Sequence, residues 1–179
     1  MNDTTRAMEL ADSLREKLLQ WLPEPSRRET PVPGLALTRY DEQTPAMQCF
    51  YTPMVALVVQ GFKRSMIGDH EANYGKNHCV VVGVDMPGVF HVTEASSQAP
   101  FLSLSVRLDR RIISRLIAEA PAIVTENAAP PRPIVVSEAS EELLETFRRL
   151  VNLLDTPSRI AVLAPLILRE IHSTAISGR

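Results

Sequence analysis

The stretch from Met54 to Leu108 decides the fold and reads MVALVVQGFKRSMIGDHEANYGKNHCVVVGVDMPGVFHVTEASSQAPFLSLSVRL. It consists of short apolar runs that alternate with turn residues. The turn residues are Gly61, Gly68-Asp69, Tyr74-Gly75-Lys76-Asn77, Met86-Pro87-Gly88 and Ala95-Ser96-Ser97. Short strands at such even spacing are typical of antiparallel sandwiches and small barrels. Together with earlier strands at Leu35 to Tyr40 and Gln48 to Tyr51, the stretch predicts an antiparallel β-barrel over residues 35–108.

Helical periodicity flanks the barrel on both sides. Residues 1–22 predict an amphipathic helix, and residues 23–34 are too rich in proline and charge to pack, so they predict a connector. After the barrel, Asp109 is the expected N-cap of a short helix that ends before Pro121. Residues 121–134 then predict a second proline-rich linker.

Two further helices are predicted after this linker. The first begins at Ser137 or Ser140, and the second runs from Ser158 to Ile176 with Pro165 inside it, which either kinks the helix or starts it afresh. The order of helix, strands and helices indicates an α+β domain. A chain of 179 residues is the size of one domain.

Composition excludes several classes of function. The formal net charge is -2, so the totals contain no basic surface that would hold nucleic acid, and we expect no DNA binding by this chain alone. No secretory leader and no apolar run of roughly 18 residues is present, which predicts a cytoplasmic protein without a membrane partner. Cys49 and Cys79 form either one disulfide or, as we expect, two buried thiols.

Catalytic motifs are missing from the sequence. There is no GxSxG elbow, CxxC pair, glycine-rich phosphate loop or HExxH helix, so we predict that the chain is not an enzyme and needs no cofactor. The four histidines include no HxH or HxxxH pair. His78 and His91 can still meet across neighbouring strands, which leaves a metal site as the alternative.

Polar residues at strand ends are the candidate ligand-binding groups. The run Gln60-Gly61-Phe62-Lys63-Arg64 is either a hairpin with a solvated basic tip or a ligand contact. Phe101, Ser103, Ser105 and Arg107 share one strand face, which either lines a pocket for a small polar ligand or faces solvent. The predicted ligand-binding residues are Tyr40, Gln60, Lys63, His91 and Arg107.

An apolar stripe on the helix after Ser140 is the candidate dimerisation surface. It consists of Leu143, Phe147, Leu150 and Leu154, widened by Leu144 and Val151. The stripe has more apolar surface than one edge of a small barrel needs, which predicts a homodimer through these helices. The alternative is that the helix packs wholly on its own barrel.

A family resemblance rests on the order and spacing of several elements. They are Pro45, Gln60-Gly61-Phe62-Lys63, Gly68-Asp69, Tyr74, Asp85-Met86-Pro87, Glu94-Ala95-Ser96, Pro100-Phe101-Leu102, Leu153-Leu154-Asp155-Thr156-Pro157, Val162-Leu163-Ala164-Pro165-Leu166-Ile167 and Arg169-Glu170-Ile171. With these, nearly the whole chain resembles the N-terminal domain of AraC-type transcription regulators, in the branch that carries a QGxK signature. One departure is Asn77, where the family usually has a glycine, and asparagine tolerates the same left-handed conformation.

The resemblance implies a cupin-like barrel, a double-stranded β-helix, with an N-terminal helix and C-terminal dimerisation helices. Residues 1–179 would be a single regulatory domain: an N-terminal helix at 1–22, the barrel at 35–108 and a helical segment at 109–179. It would bind a small-molecule effector and control a C-terminal helix-turn-helix domain that is absent from this chain, so DNA would be a partner only through that domain. Two alternatives remain, a cupin-type metal-dependent enzyme acting on a small metabolite and a dimerisation module without an effector.

Overall fold

The computed structural model describes residues 3–120 and 132–177, in which ten strands and four α-helices follow one another. The helices are α1 (Asp3–Trp21), α2 (Arg110–Glu119), α3 (Glu141–Asn152) and α4 (Ile160–Ser177). The strands are β1 (Ser26–Glu29), β2 (Leu35–Tyr40), β3 (Met47–Tyr51), β4 (Met54–Gln60), β5 (Phe62–Ile67), β6 (His70–Gly75), β7 (His78–Val82), β8 (Met86–Glu94), β9 (Phe101–Arg107) and β10 (Ile134–Glu138). The fold is therefore α+β, as the order of sequence patterns predicts.

The strands form two antiparallel sheets. The large sheet has the order β1-β2-β9-β4-β7-β10, and the small sheet has the order β3-β8-β5-β6. Side chains of both sheets share one apolar cluster, which includes Val58, Tyr74, Val80 and Val92, so the sheets pack face to face. The predicted barrel is thus a pair of facing sheets without a closed ring of hydrogen bonds.

The helices cover the other face of the large sheet. Alternate residues of its strands, such as Leu37, Leu57 and Leu104, join Leu14 and Leu18 of α1 in a second apolar cluster. Because side chains alternate along a strand, each central strand of this sheet contributes one row of residues to the helical layer and one row to the space between the sheets. That second row forms one wall of the candidate site described below.

The apolar stripe of α3 lies inside this helical layer. Leu143, Phe147, Leu150 and Leu154 are 6%, 0%, 0% and 3% exposed, and all four belong to the cluster that α1, α4 and the large sheet share. The stripe predicted to form a dimer interface is therefore covered by the chain's own residues, although by α1 and α4 as well as the barrel and not by the barrel alone. The physical reason is that α1 and α4 supply the apolar partner that the barrel alone does not.

Two strands lie where the sequence predicts no strand. Ser26–Glu29 pairs with β2 although all four of its residues are exposed, and Val32 beyond it is 0% exposed, so the connector packs after all. Ile134–Glu138 pairs with β7, and α3 begins only after Ser140, whose Oγ accepts a hydrogen bond from the Leu143 amide at 3.2 Å. Edge strands are held by backbone pairing, which needs no apolar periodicity. Most of the predicted linker 121–134 lies outside the described residues.

The other helix boundaries follow from capping and proline chemistry. Asp109 caps α2 by accepting a hydrogen bond from the Arg111 amide at 2.7 Å, as predicted. Pro157 opens a 3-10 turn before α4, and Pro165 lies inside α4 without ending it. No single helix in the two described ranges is long and apolar enough to cross a membrane. The segments Glu141–Asp155 and Pro157–Ile176 reach that length and apolarity only when taken together, and the chain bends by 119° at the break between them.

Candidate functional site

The turn after β4 carries the chain from the large sheet to the small one. Gly61 has a φ of +80°, and a Cβ there would lie 2.5 Å from the Glu94 carbonyl oxygen and 2.9 Å from the Phe101 Cα, so only glycine fits. The Gln60 Nε2 donates to the Pro100 carbonyl at 2.8 Å. The glutamine and the glycine of the QGxK signature therefore stabilise the turn between the two sheets.

The register of β5 decides which cation enters the space between the sheets. Lys63 pairs with Val92 and Tyr74, and both of these residues belong to the cluster between the sheets. Arg64 pairs with His91 on the opposite face, where its Nη2 donates to a Glu71 carboxylate oxygen at 2.7 Å. Directly paired residues of antiparallel strands share a face, so Lys63 lies on the inner face and Arg64 on the outer one.

One aromatic ring lies beside the Lys63 ammonium, and two more lie near that ring. Its Nζ lies 4.2 Å from the centroid of the Phe90 ring, within the range of a cation–π interaction. The Tyr40 ring lies between the two sheets, 6.1 Å from the Phe90 centroid and 6.3 Å from the Phe101 centroid. Lys63 and Phe90 come from the small sheet, and Tyr40 and Phe101 come from the large one.

No carboxylate in the described ranges forms an ion pair with Lys63. Burial lowers the pKa of Lys63 to about 8; the Cys49 sulfur raises this pKa when it is ionised, and the Arg27 guanidinium lowers it. Within residues 3–120 and 132–177 no carboxylate lies within salt-bridge distance of Nζ. The inner face of the small sheet therefore holds a partly accessible cation whose one described partner is an aromatic ring.

A buried hydroxyl network lies next to this cation. The Tyr51 hydroxyl donates to Ser65 Oγ at 2.7 Å, and the Ser65 and Tyr74 hydroxyls are 2.6 Å apart. Burial raises the pKa of Tyr74 to about 12 and raises the pKa of Tyr51 as well, so both phenols stay neutral. Because Ser65 follows Lys63 by two residues in β5, the network shares the inner face with the ammonium.

The facing wall belongs to the large sheet and is not fully packed. Ser103 and Ser105 lie in β9, which has β2 on one side and β4 on the other, yet both side chains remain partly accessible. One partner of each serine, Thr38 and Ala56, is also partly accessible, whereas the partners on the other side, Val58 and Ala36, are 1% exposed. A central strand can be reached only from its face, so space remains between the sheets at this point.

The structure brings two of the five predicted ligand-binding residues together, Tyr40 and Lys63. Gln60 is tied to Pro100, and His91 lies on the outer face of the small sheet, next to Arg64. Arg107 is exposed at the end of β9 and lines a separate cleft of about 570 Å³. Phe90, Cys49 and Ser65 were not predicted from the sequence, because only the pairing of β5, β8 and β3 brings them to the inner face that holds Lys63.

The separate cleft contains a buried histidine that ties two elements together. His172 of α4 is 1% exposed, and its Nε2 accepts a hydrogen bond from the Asp109 amide at 2.7 Å. Its Nδ1 is 2.6 Å from the Leu168 carbonyl oxygen, so the proton belongs on Nδ1. Burial lowers the pKa of His172, which keeps the ring neutral. The bond joins α4 to the corner between β9 and α2.

The described residues contain two free thiols and no gathered set of metal ligands. In the described ranges, no three or more His, Cys, Asp or Glu side chains gather as a metal site. Both cysteines are free thiols, as expected: Cys49 lies between the sheets and Cys79 in the helical layer. Burial raises the pKa of Cys49 and raises that of Cys79 to about 11. Asn77 adopts the left-handed conformation expected of it, with φ 64°.

Comparison with known proteins identifies related chains. Residues 31–179 match the family described as AraC-type transcriptional regulator N-terminus. An apo ToxT variant from Vibrio cholerae is similar in structure, with a TM-score of 0.52 and 8% sequence identity over 84% of this chain and 57% of that chain. The AraC-like transcriptional activator CuxR has a TM-score of 0.45 and 11% identity over 82% of this chain and 52% of that chain.

A cupin-2 domain protein from Shewanella frigidimarina has a TM-score of 0.36 and 11% identity over 53% of this chain and 92% of that chain. No curated protein sequence matches. The likeness to ToxT supports the fold alone, and the present chain spans little more than half of the ToxT length.

Proposed function

Because the chain belongs to the family of AraC-type transcriptional regulator N-terminal domains, we propose that it is a regulatory domain that binds a small-molecule effector between its two sheets. The observation that carries the proposal is that Lys63, Phe90 and Tyr40 lie together between the sheets, where Ser103 and Ser105 on the inner face of β9 are partly accessible. A mostly apolar space with a few convergent polar groups is typical of small-molecule sites. A cupin-type metalloenzyme has no gathered ligand set among the described residues to support it.

Control of DNA binding is the second part of the proposal. With a net charge of -2, the chain itself does not bind duplex DNA, and a C-terminal helix-turn-helix domain outside it does so. The bond between His172 and the Asp109 amide supplies a physical connection, because β9 forms a wall of the effector site and α4 is the last described helix. A ligand that shifts β9 would thereby act on α4.

Self-association, the third part, fits α4 better than α3. Val162 and Leu166 on α4 are 69% and 64% exposed and lie one helical turn apart. A second copy that packs against this helix in the antiparallel direction sets Val162 of each copy against Leu166 of the other, which gives a self-complementary two-fold contact. The double variant Val162→Glu with Leu166→Glu should sediment as a folded monomer. Phe50→Glu, at a residue 64% exposed on the small sheet, is the matched control, and loss of the dimer in both variants would argue against α4.

Effector binding is tested with N-phenyl-1-naphthylamine, an uncharged probe whose fluorescence rises in apolar sites. The chain should bind it between the sheets, and Ser105→Phe should reduce binding at least tenfold because the new ring fills the space beside Ala56. Ser97→Phe, in the exposed loop after β8, is the matched control. Circular dichroism and thermal unfolding verify that both variants fold. Equal probe binding by the wild type and Ser105→Phe would contradict the proposed site.

A further inference from the structure

Resting on that proposed function, we infer that the effector carries an anionic group that binds the Lys63 ammonium, while its apolar part lies against Phe90 and Tyr40. The ligand class is a small organic acid with an aromatic or similarly flat apolar body. The site is the space between the sheets, with Lys63 as its anchor.

The Lys63 ammonium has no counter-charge among the described residues. A buried charge is costly unless it is paired and hydrogen-bonded, and an ammonium has three N–H donors to satisfy. The ring of Phe90, 4.2 Å from Nζ, offers attraction but no hydrogen-bond acceptor of full strength. In the described part of the chain no carboxylate completes the set. A bound carboxylate, sulfonate or phosphate oxygen would supply what the protein omits.

The charged groups around Lys63 leave its ammonium without a carboxylate partner among the described residues. Arg27 lowers the pKa of Lys63, but Arg27 is exposed and its Nη1 donates to a Glu29 carboxylate oxygen at 3.0 Å, so this pair adds little net charge. The groups that titrate nearby are the Cys49 thiol and the Tyr40, Tyr51 and Tyr74 phenols, and burial raises the pKa of each, so all four stay neutral at physiological pH. The net charge at the site is therefore that of Lys63, which attracts an anion and disfavours a cationic ligand.

Two aromatic rings near the ammonium offer a surface for the apolar part of the ligand. Phe90 and Tyr40 are partly accessible, whereas Phe101 behind them is 1% exposed. Two rings from opposite sheets thus remain open to a ligand next to the ammonium, and their centroids are 6.1 Å apart. A flat apolar group can pack on these rings while its acid group reaches Nζ.

The experiment compares two fluorescent probes of nearly the same shape, 8-anilinonaphthalene-1-sulfonate and the uncharged N-phenyl-1-naphthylamine. Because a hydrogen bond to a charged group is worth about 1.5–3 kcal/mol, Lys63→Met should weaken sulfonate binding roughly 10- to 100-fold. The same variant should change binding of the uncharged probe less than about threefold. Lys63→Arg, which keeps the charge, should retain the preference for the sulfonate and covers the case in which the methionine variant does not fold. Arg64→Met is the matched control, because Arg64 is the adjacent cation on the outer face.

The outcomes separate the inference from the proposed function. If Lys63→Met leaves sulfonate binding unchanged, the anion does not bind Lys63 and the inference is overturned, even when Ser105→Phe still abolishes binding of the uncharged probe. If Ser105→Phe affects neither probe, the proposed effector site itself fails. If Arg64→Met weakens sulfonate binding as much as Lys63→Met does, the preference is a general surface effect and the inference also falls.

A pH series gives an independent readout on the same wild-type protein. Burial lowers the pKa of Lys63 to about 8, so the ammonium loses its proton as the pH rises from 7 to 9. The titratable groups on the surrounding strands are the Cys49 thiol and the Tyr40, Tyr51 and Tyr74 phenols, and the raised pKa of each keeps it protonated over most of this range. Arg27 is paired with Glu29. The ratio of sulfonate to uncharged-probe affinity should therefore fall with rising pH, and a constant ratio would count against Lys63 as the anchor.

Discussion

The histidine that ties α4 to the β9–α2 corner should make the stability of the domain depend on pH. His172 is 1% exposed, accepts a hydrogen bond from the Asp109 amide and has a pKa lowered from 6.5 by burial. Because the folded state keeps this ring neutral, the unfolded state binds more protons below pH 6.5, and the free energy of unfolding falls as the pH decreases. One such group contributes at most about 1.4 kcal/mol per pH unit.

The perturbation is His172→Gln, whose side-chain oxygen can accept the Asp109 amide but does not titrate. Urea unfolding followed by circular dichroism at pH 7.5, 6.5 and 5.5 gives the free energy of unfolding for each protein. The wild type should lose stability relative to His172→Gln as the pH falls, by at most about 1.4 kcal/mol over the last unit. His172→Leu should be less stable than His172→Gln at every pH by roughly 1–3 kcal/mol, because leucine leaves the Asp109 amide without an acceptor.

Removal of an exposed imidazole controls for the loss of a histidine in general. His70 lies in an exposed position at the start of β6, and His70→Gln is the matched variant. Parallel free-energy curves for the wild type and His172→Gln between pH 7.5 and 5.5 would show that protonation of His172 does not destabilise the fold. So would a wild type that gains stability relative to His172→Gln in acid.

Three further predictions concern packing and reactivity. Gly61→Ala should lower the free energy of unfolding, measured by urea denaturation, by at least about 2 kcal/mol. The new Cβ would lie 2.5 Å from the Glu94 carbonyl oxygen, and the backbone at this residue is left-handed. A stability within error of the wild type would contradict this. Phe147→Ala should cost about 3–5 kcal/mol in the same assay, whereas Met8→Ala, at a residue 55% exposed, should stay within about 0.5 kcal/mol. At pH 8 the native Cys79 thiol should not react with Ellman's reagent, because burial raises its pKa to about 11, and it should react once urea unfolds the chain; rapid reaction in the folded state would be the opposite result.

Local chemistry in the sequence determined the positions of most elements. The strand Leu35–Tyr40 and the cap Asp109 agree with the structure, and so does the left-handed turn at Asn77. These features depend on a few adjacent residues, such as a side chain that accepts a nearby amide or a glycine that permits a positive φ. β1 and β10 have no such local signal. They form because the neighbouring strands β2 and β7 offer them backbone hydrogen-bond partners.

The site and the role of α3 depend on tertiary structure. Alternation along β5 shows that Lys63 and Arg64 point in opposite directions, but only pairing with β8 shows which of them lies beside Phe90. In the same way, an apolar stripe on α3 requires a partner but does not name it, and here the chain's own α1 and α4 cover it. Periodicity specifies the faces of an element, whereas the neighbours that cover each face are decided by contacts between residues distant in sequence.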